Sequence, residues 1–117
     1  MNKNFLLITL FLLVSPSAET KENINHFDAM DIFDLEWASD PQVSSDGETI
    51  VYVRKSNDIM KDRVRSSLWR ITKEGRDHRP LNSGLKNSYS PRWSSDNKRI
   101  AFVSNNSGST QIHMHWV

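Results

Sequence analysis

Two short runs of adjacent apolar residues, fifty positions apart, dominate the hydrophobic pattern of this chain. They are Ile50–Val53 and Ile100–Val103, and neither alternates with polar residues. An alternating strand is covered on one face only, whereas a continuous short apolar run is typical of a strand buried on both faces. The pattern therefore predicts short strands in sheets that stack against other sheets.

The segments around these runs repeat each other. Residues 41–53 read PQVSSDGETIVYV and residues 91–103 read PRWSSDNKRIAFV. A second block recurs at a shorter offset, since SLWRI at 67–71 corresponds to QIHMH at 111–115 after a shorter loop. A period of about 40–50 residues with four short strands per unit indicates a β-propeller. A plain β-sandwich, the alternative, would explain the strands but not the repeat.

Turn residues separate the predicted strands. Asp46-Gly47 and Asp96-Asn97 are expected to make tight turns, because glycine and asparagine tolerate positive φ and aspartate can accept a hydrogen bond from the backbone two residues on. Glu74-Gly75 predicts a further turn, followed by a short segment around Pro80-Leu81. The resulting unit is an up-and-down meander of four strands.

A short helix is predicted ahead of the first repeat. Asp28 can serve as its N-cap with Asp31 at the third helical position, a variant of the capping box. We expect helical turns from Ala29 to about Glu36, ended by the Ser39-Asp40-Pro41 segment.

The first eighteen residues have the pattern of a signal peptide. Lys3 precedes an apolar run from Phe5 to Val14 that is interrupted only by Thr9, and small residues follow at Ser15–Ala18. Ten residues of helix span about 15 Å, which is short of a hydrocarbon core of about 30 Å. The segment is therefore interpreted as cleaved after Ser17 or Ala18, which would leave an exported, periplasmic or secreted protein with no membrane anchor.

Residues 33–47, FDLEWASDPQVSSDG, resemble the start of dipeptidyl aminopeptidase/acylaminoacyl-peptidase-like members of the prolyl oligopeptidase family. Ser67-Leu68-Trp69 and the PRWSSD segment at 91–96 are similar to the same template. Two departures stand out: Ser45 and Ser95 replace the proline that the family has before the aspartate, and Asn97 replaces the glycine in the second copy. Neither puts the fold in doubt.

The resemblance implies a propeller fragment of a serine peptidase. In that family, catalysis belongs to a C-terminal α/β-hydrolase domain with a Ser-Asp-His triad and a G-x-S-x-G motif. No such motif occurs in this sequence, so no catalytic residue is assigned to it, and this chain alone is expected to be inactive. Its expected role is that of a gate and scaffold for the hydrolysis of short peptides. The alternative is part of a non-catalytic, TolB-like propeller that binds proteins or ligands.

The predicted fold class is all-β: the first two blades of a propeller, each a four-stranded antiparallel meander, preceded by a signal peptide and a short helix. The predicted organisation is a signal peptide at 1–18, a flexible polar segment at 19–27, a short helix at 28–38, blade 1 at 39–88 and an incomplete blade 2 at 89–117. The partners expected in the whole protein are the remaining blades, the hydrolase domain and, in that context only, a peptide substrate.

Composition and charge add few candidate sites. The formal net charge is +1, and basic residues between Arg54 and Arg99 are scattered, so no nucleic-acid partner is predicted. The chain has no cysteine, and no cofactor is expected. His113 and His115 would share one face of a strand, but no third ligand is evident and no metal site is predicted. Helix capping and solvation are the interpretation given to the acidic residues Asp28, Asp31, Asp34 and Glu36.

Overall fold

The computed structural model describes residues 26–82 and 86–117, so the predicted signal peptide and residues 19–25 lie outside the described residues. The described chain begins with a 3-10 helix at Ala29–Phe33. Seven strands follow: β1 Glu36–Val43, β2 Thr49–Asp58, β3 Arg63–Thr72, β4 Arg79–Pro80, β5 Ser88–Trp93, β6 Arg99–Ser104 and β7 Gln111–Trp116.

The strands form two antiparallel meanders in chain order. Sheet 1 has the order β1-β2-β3-β4, and sheet 2 has the order β5-β6-β7 in the described part of the chain. The predicted all-β fold with propeller-type blades is thereby confirmed, as is the short fourth strand after the Glu74-Gly75 turn. Each sheet contains one copy of the sequence repeat, so the fifty-residue period corresponds to one sheet.

The helix is shorter than predicted. Its capping box is present, since the Asp28 carboxylate accepts from the N-terminal backbone and Asp31 accepts from the Asp28 N–H at 2.7 Å. The prediction of helix to residue 36, and of a helical segment to residue 38, is wrong because β1 already begins at Glu36. Pairing with β2 across Glu36–Ser39 fixes this stretch as strand, which local propensity alone did not show.

A bulge recurs at the same place in both sheets. The register between β1 and β2 shifts between Ser39 and Gln42, and that between β5 and β6 shifts between Tyr89 and Arg92. Asp40 and Ser90, fifty positions apart, have positive φ angles of 47° and 53° inside these bulges. A bulge bends its strand and increases the local twist. The repeat therefore extends to backbone geometry at positions where the two residue types differ.

The turn after each bulge is held by the same hydrogen bonds. In sheet 1 the Asp46 carboxylate accepts from the Ser44 hydroxyl at 2.6 Å and from the Glu48 N–H at 3.0 Å. In sheet 2 the Asp96 carboxylate accepts from the Ser94 hydroxyl and from the Lys98 N–H. The serine hydroxyl first, and the backbone N–H second, hold the pKa of each aspartate below its usual value. These turns need no proline, because side-chain hydrogen bonds fix them.

The residue after each aspartate must adopt positive φ. Gly47 has φ 76° and Asn97 has φ 56°. Asparagine is one of the few side chains that adopt this conformation readily. The substitution of asparagine for glycine in the second copy therefore leaves the turn intact.

The core lies between the sheets. Val51, Val53 and Leu68 of sheet 1 are at most 1% exposed, and Ile100 of sheet 2 packs against them. The prediction that both faces of the apolar strands are buried holds only for the faces that meet here. The opposite faces of β2 and β6 are half-buried in the described structure, because no further sheet covers them.

We expect Leu68→Ala to be the most damaging single truncation in the core. Leu68 is fully buried between the sheets, and such truncations cost about 2–5 kcal/mol of unfolding free energy. Urea denaturation followed by tryptophan fluorescence measures this loss. The matched control is Val64→Ala in the same strand, where the side chain is 43% exposed and the cost should be much smaller. Equal losses for the two variants would contradict the assigned core.

Candidate functional site

The candidate site is the junction between the two sheets, where β5 packs against sheet 1. Its centre is apolar: Trp93 and Phe102 of sheet 2 lie against the cluster formed by Val51, Val53 and Leu68. Residues directly opposite each other in an antiparallel pair share a face, so Trp93 and Ile100 point toward sheet 1 together. Burial of this area is the main attraction between the sheets.

Polar groups at one end of the junction tie the two turns together. The Asn97 side-chain oxygen accepts from both the backbone N–H and the hydroxyl of Ser45, each at 2.9 Å. The two turns that repeat each other in sequence are thus bonded directly to each other. Asn97 is the residue that departs from the glycine of the resembling family, and its side chain supplies the acceptor.

Two further bonds join β1 to β5. The Trp93 indole N–H donates to the Gln42 carbonyl oxygen at 3.1 Å. The Arg92 guanidinium forms an ion pair with Asp40, 3.1 Å from its carboxylate oxygen Oδ2, and the arginine is well exposed. An exposed ion pair contributes little to stability, so the partly buried indole bond matters more for fixing the angle between the sheets.

At the other end of the junction, side-chain amides bond to backbone groups of β3 that no neighbouring strand pairs with. Asn87 accepts from the Ser66 N–H at 3.0 Å, and Asn82 accepts from the Leu68 N–H at 3.1 Å. These asparagines therefore satisfy the edge of β3 that the two-residue β4 leaves unpaired. Asn82 and Asn87 are held against the edge of β3 by these bonds.

The same chain of polar groups continues into sheet 2. Asn82 donates to the Ser88 hydroxyl at 2.6 Å, and Ser88 donates to the Ser104 hydroxyl at 3.1 Å. Ser104 in turn donates to the Asn87 carbonyl oxygen at 2.9 Å. Both serines are buried, at 0% and 2% exposure, which makes their pairing obligatory.

A cavity of about 350 Å³ adjoins these serines, with Lys86 and His113 among its lining residues. The His113 ring stacks on Phe102 with 5.6 Å between ring centroids. Its Nε2 atom is buried and has no hydrogen-bond partner within the described ranges. The arrangement lacks a carboxylate beside the imidazole, so the lining described does not resemble a hydrolytic triad.

His113 and His115 share the face of β7 that is turned toward sheet 1, opposite Phe102 and Ile100. Burial first, and then the charges of Arg79 and Arg70, lower the pKa of His115. Among residues 26–82 and 86–117, no group of three His, Cys, Asp or Glu residues is arranged to hold a metal ion. His113 and His115, the pair considered from the sequence as metal ligands, therefore face the junction. His115 lies near Arg70 and Arg79.

A second cluster of aromatic and charged groups lies on the opposite face of sheet 1. The Tyr52 hydroxyl is 2.6 Å from His78 Nε2, and the Arg54 guanidinium lies 4.4 Å from the Trp69 ring centroid and pairs with Glu36. Burial, more than the nearby charges, raises the pKa of Tyr52. This cluster could not be predicted from the sequence, because its members come from three strands and a loop.

The tryptophans differ in what they do. Trp93 packs in the junction, and Trp69 is half-buried beneath Arg54. Trp37 and Trp116, at 40% and 68% exposure, remain open to solvent in the described structure.

No helix in the described part is long and apolar enough to cross a membrane.

Asn97→Gly should weaken the tie between the turns without disturbing the turn itself. Glycine accepts the positive φ at this position, so the change removes chiefly the two bonds from Ser45. We expect a loss of about 1 kcal/mol in unfolding free energy. A double-mutant cycle with Ser45→Ala, measured by urea denaturation, isolates the side-chain bond. Strict additivity of the two substitutions would show that this bond contributes nothing.

His115 should make the folded state sensitive to mild acid. Because its pKa is lowered on folding, the unfolded chain binds the proton more readily, and unfolding free energy falls as the pH drops below about 6.5. His115→Gln should remove this decline while behaving like the parent at pH 8. Arg79→Gln, which deletes one of the repelling charges, should reduce the slope. Parallel pH profiles of the parent and His115→Gln, from urea denaturation, would contradict the assignment.

No family model matches this chain. It is 32% identical over 99 residues to dipeptidyl-peptidase 5 of Porphyromonas gingivalis, a match that covers 85% of this chain and 14% of that protein. It is 34% identical over 80 residues to the uncharacterized peptidase YuxL of Bacillus subtilis, covering 68% of this chain and 12% of that protein. The chain therefore spans about one seventh or less of the length of these relatives.

A solved structure, acylaminoacyl peptidase of Pyrococcus horikoshii, superposes with a TM-score of 0.59. The match covers 74% of this chain and 13% of that chain at 20% identity, so it shows the fold alone. Sequence relatives and fold neighbour agree with the resemblance carried by residues 33–47 and by the repeat. The chain is homologous to the N-terminal propeller region of peptidases of the prolyl oligopeptidase family.

Proposed function

We propose that this chain is an N-terminal fragment of the propeller of an exported serine peptidase that hydrolyses short peptides, and that it acts as gate and scaffold with no catalytic residue of its own. The observation that carries the proposal is the 32% identity to dipeptidyl-peptidase 5 across 85% of the chain. Both curated relatives described above are named peptidases, and both are several times longer than this chain.

The geometry supports a rigid gate. A propeller can restrict access to an active site only if neighbouring blades stay together. Here the two sheets are joined by a buried apolar cluster, by the Trp93 indole bond and by the paired turns. At the opposite end, Asn82 donates to the buried Ser88 hydroxyl, and Asn87 accepts from the Ser66 N–H of β3. The junction is thus held at both ends as well as in the middle.

Export is part of the proposal. It is supported by the basic start, the ten-residue apolar run and the small residues that follow. The proposed location is the periplasm or the exterior of the cell, with the remaining blades and a hydrolase domain as covalent neighbours and a peptide as substrate.

The test is made on the full product of the gene. We expect the coding DNA beyond Val117 to encode more blades and then a hydrolase domain with a G-x-S-x-G motif, and we expect the exported product to react with a fluorophosphonate probe. Replacing the serine of that motif by alanine is the control and should abolish labelling. Cleavage of peptide series of increasing length should fall steeply with length if the propeller is a gate.

Three results would count against the proposal. A reading frame that ends after the last blade, with no labelling, would favour a non-catalytic, TolB-like propeller. If the labelled enzyme cleaved long and short peptides equally, the proposed gate role would be wrong, while the proposed peptidase activity would stand. A labelled product found only inside the cell would contradict the proposed export.

A further inference from the structure

In the described structure, the 3-10 helix has no buried residue, although Met30, Ile32 and Phe33 are large and apolar. Met30 is 58% exposed and Ile32 is 46% exposed. The helix is nevertheless fixed in place, because the capping box closes its first turn and the Asn57 amide donates to the Ile32 carbonyl oxygen at 2.6 Å. Apolar side chains that are held in place and bury little area indicate a contact with another surface.

The tip of the hairpin between β2 and β3 presents further apolar residues. Ile59 and Met60 are 51% and 88% exposed. The tip is fixed by Asp58, whose carboxylate accepts from the Met60 N–H at 3.1 Å and whose carbonyl oxygen accepts from the Lys61 N–H at 3.2 Å. The hairpin thus holds these two side chains out to solvent at a defined position.

The helix and the hairpin lie next to each other. A cleft of about 210 Å³ separates them, with Ile32 and Val64 among its lining residues, and Val64 is 43% exposed. The two elements therefore form one apolar surface, named here the end patch, which consists of Met30, Ile32, Ile59, Met60 and Val64.

The hairpin that carries the end patch is longer than its counterpart in sheet 2. β6 ends at Ser104, the counterpart of Arg54, whereas β2 continues to Asp58. β3 begins at Arg63, ahead of Ser67, which is the counterpart of the first residue of β7. The additional strand residues add about 13 Å at a rise of about 3.3 Å per residue. The end patch therefore extends past the part of sheet 1 that sheet 2 repeats.

Further blades of the proposed peptidase are not expected to cover the end patch. They would stack on the outer face of sheet 2 and on the face of sheet 1 that carries Tyr52. Asn57 alternates with Val51 and Val53 along β2, so its side chain lies on the junction face instead. Its bond to Ile32 holds the helix on that side, away from the face of sheet 1 that another blade would cover.

The charges of the same two segments restrict the partner. Lys61 and Arg63 are outnumbered by five aspartates, which are Asp28, Asp31, Asp34, Asp58 and Asp62. The excess of negative charge disfavours an anionic lipid surface. It favours a protein surface that is apolar at its centre and carries basic residues around it.

We propose that the end patch binds the hydrolase domain of the same chain through a surface of this kind. The inference rests on the proposed function, in which that domain is the neighbour outside the ring of blades. The chain also enters sheet 1 at this end, since Glu36 of β1 lies opposite Ser56 of β2. The contact would fix the first blade to the domain at the point where the propeller begins.

The test measures methionine oxidation by hydrogen peroxide in the full product of the gene, with mass spectrometry as the readout. Met30 and Met60 would react rapidly if they were as exposed there as they are here. When the hydrolase domain covers them, we expect both to react about tenfold more slowly than in the urea-unfolded product, because reaction then requires local opening.

The outcomes separate this proposal from the proposed function. If fluorophosphonate labelled the product but both methionines reacted as fast as in urea, the docking would be wrong and the peptidase would stand. Protection in a product that lacks a hydrolase domain would show a different occupant. Protection that increased with product concentration would show a second copy of the chain, and either result would overturn the proposal.

A substitution at the hairpin tip tests whether the two elements bind together. Met60→Asp places a carboxylate in the contact, so Met30 should then react at nearly the rate of the unfolded product. Arg76→Asp is the matched control, because Arg76 lies beyond β3 at the other end of sheet 1 with its side chain 79% exposed, and it should leave Met30 protected. Continued protection of Met30 in Met60→Asp would contradict the assigned surface. Circular dichroism checks folding, and Met60→Ser replaces Met60→Asp if the latter does not fold.

Discussion

The stacking of one sheet on the next is the interaction on which the rest of this structure depends. Sheet 1 alone cannot bury Val51, Val53 and Leu68, since a single sheet has no interior. They become buried only because β5 and β6 bring Ile100 and its neighbours against them. Burial of this apolar area offsets the entropy of ordering both sheets, which neither sheet offsets alone.

The polar contacts around that core determine the angle of the stack. Hydrophobic attraction is non-directional, so it does not choose between one rotation of the sheets and another. The bonds of the Trp93 indole, the Asn97 amide and the Asn87 amide are directional, and each joins sheet 1 to sheet 2 or to the residue just before sheet 2.

Much of the fold could be predicted from sequence because its determinants are local and repeated. The Asp-Gly and Asp-Asn pairs predicted the turns, and the apolar runs predicted the strands that meet at the core. The first residues of β1 could not be predicted in this way. Residues 36–38 continue a capped helical start, and only pairing with β2 makes them strand. The bulges at Asp40 and Ser90 could not be predicted from the sequence either, since the two residues differ in type and share only their backbone conformation.

The sequence by itself determined the repeat, the turn chemistry, the meander order and the relationship to peptidase propellers. The tertiary structure alone decided which member of each repeated pair is buried. Pro91 is fully buried and Pro41 is exposed; Leu68 is fully buried, while its counterpart Ile112 is open. The physical reason is that a repeat specifies two complementary faces for every sheet, whereas burial requires a neighbour, and the described chain supplies a neighbour to only one face of each.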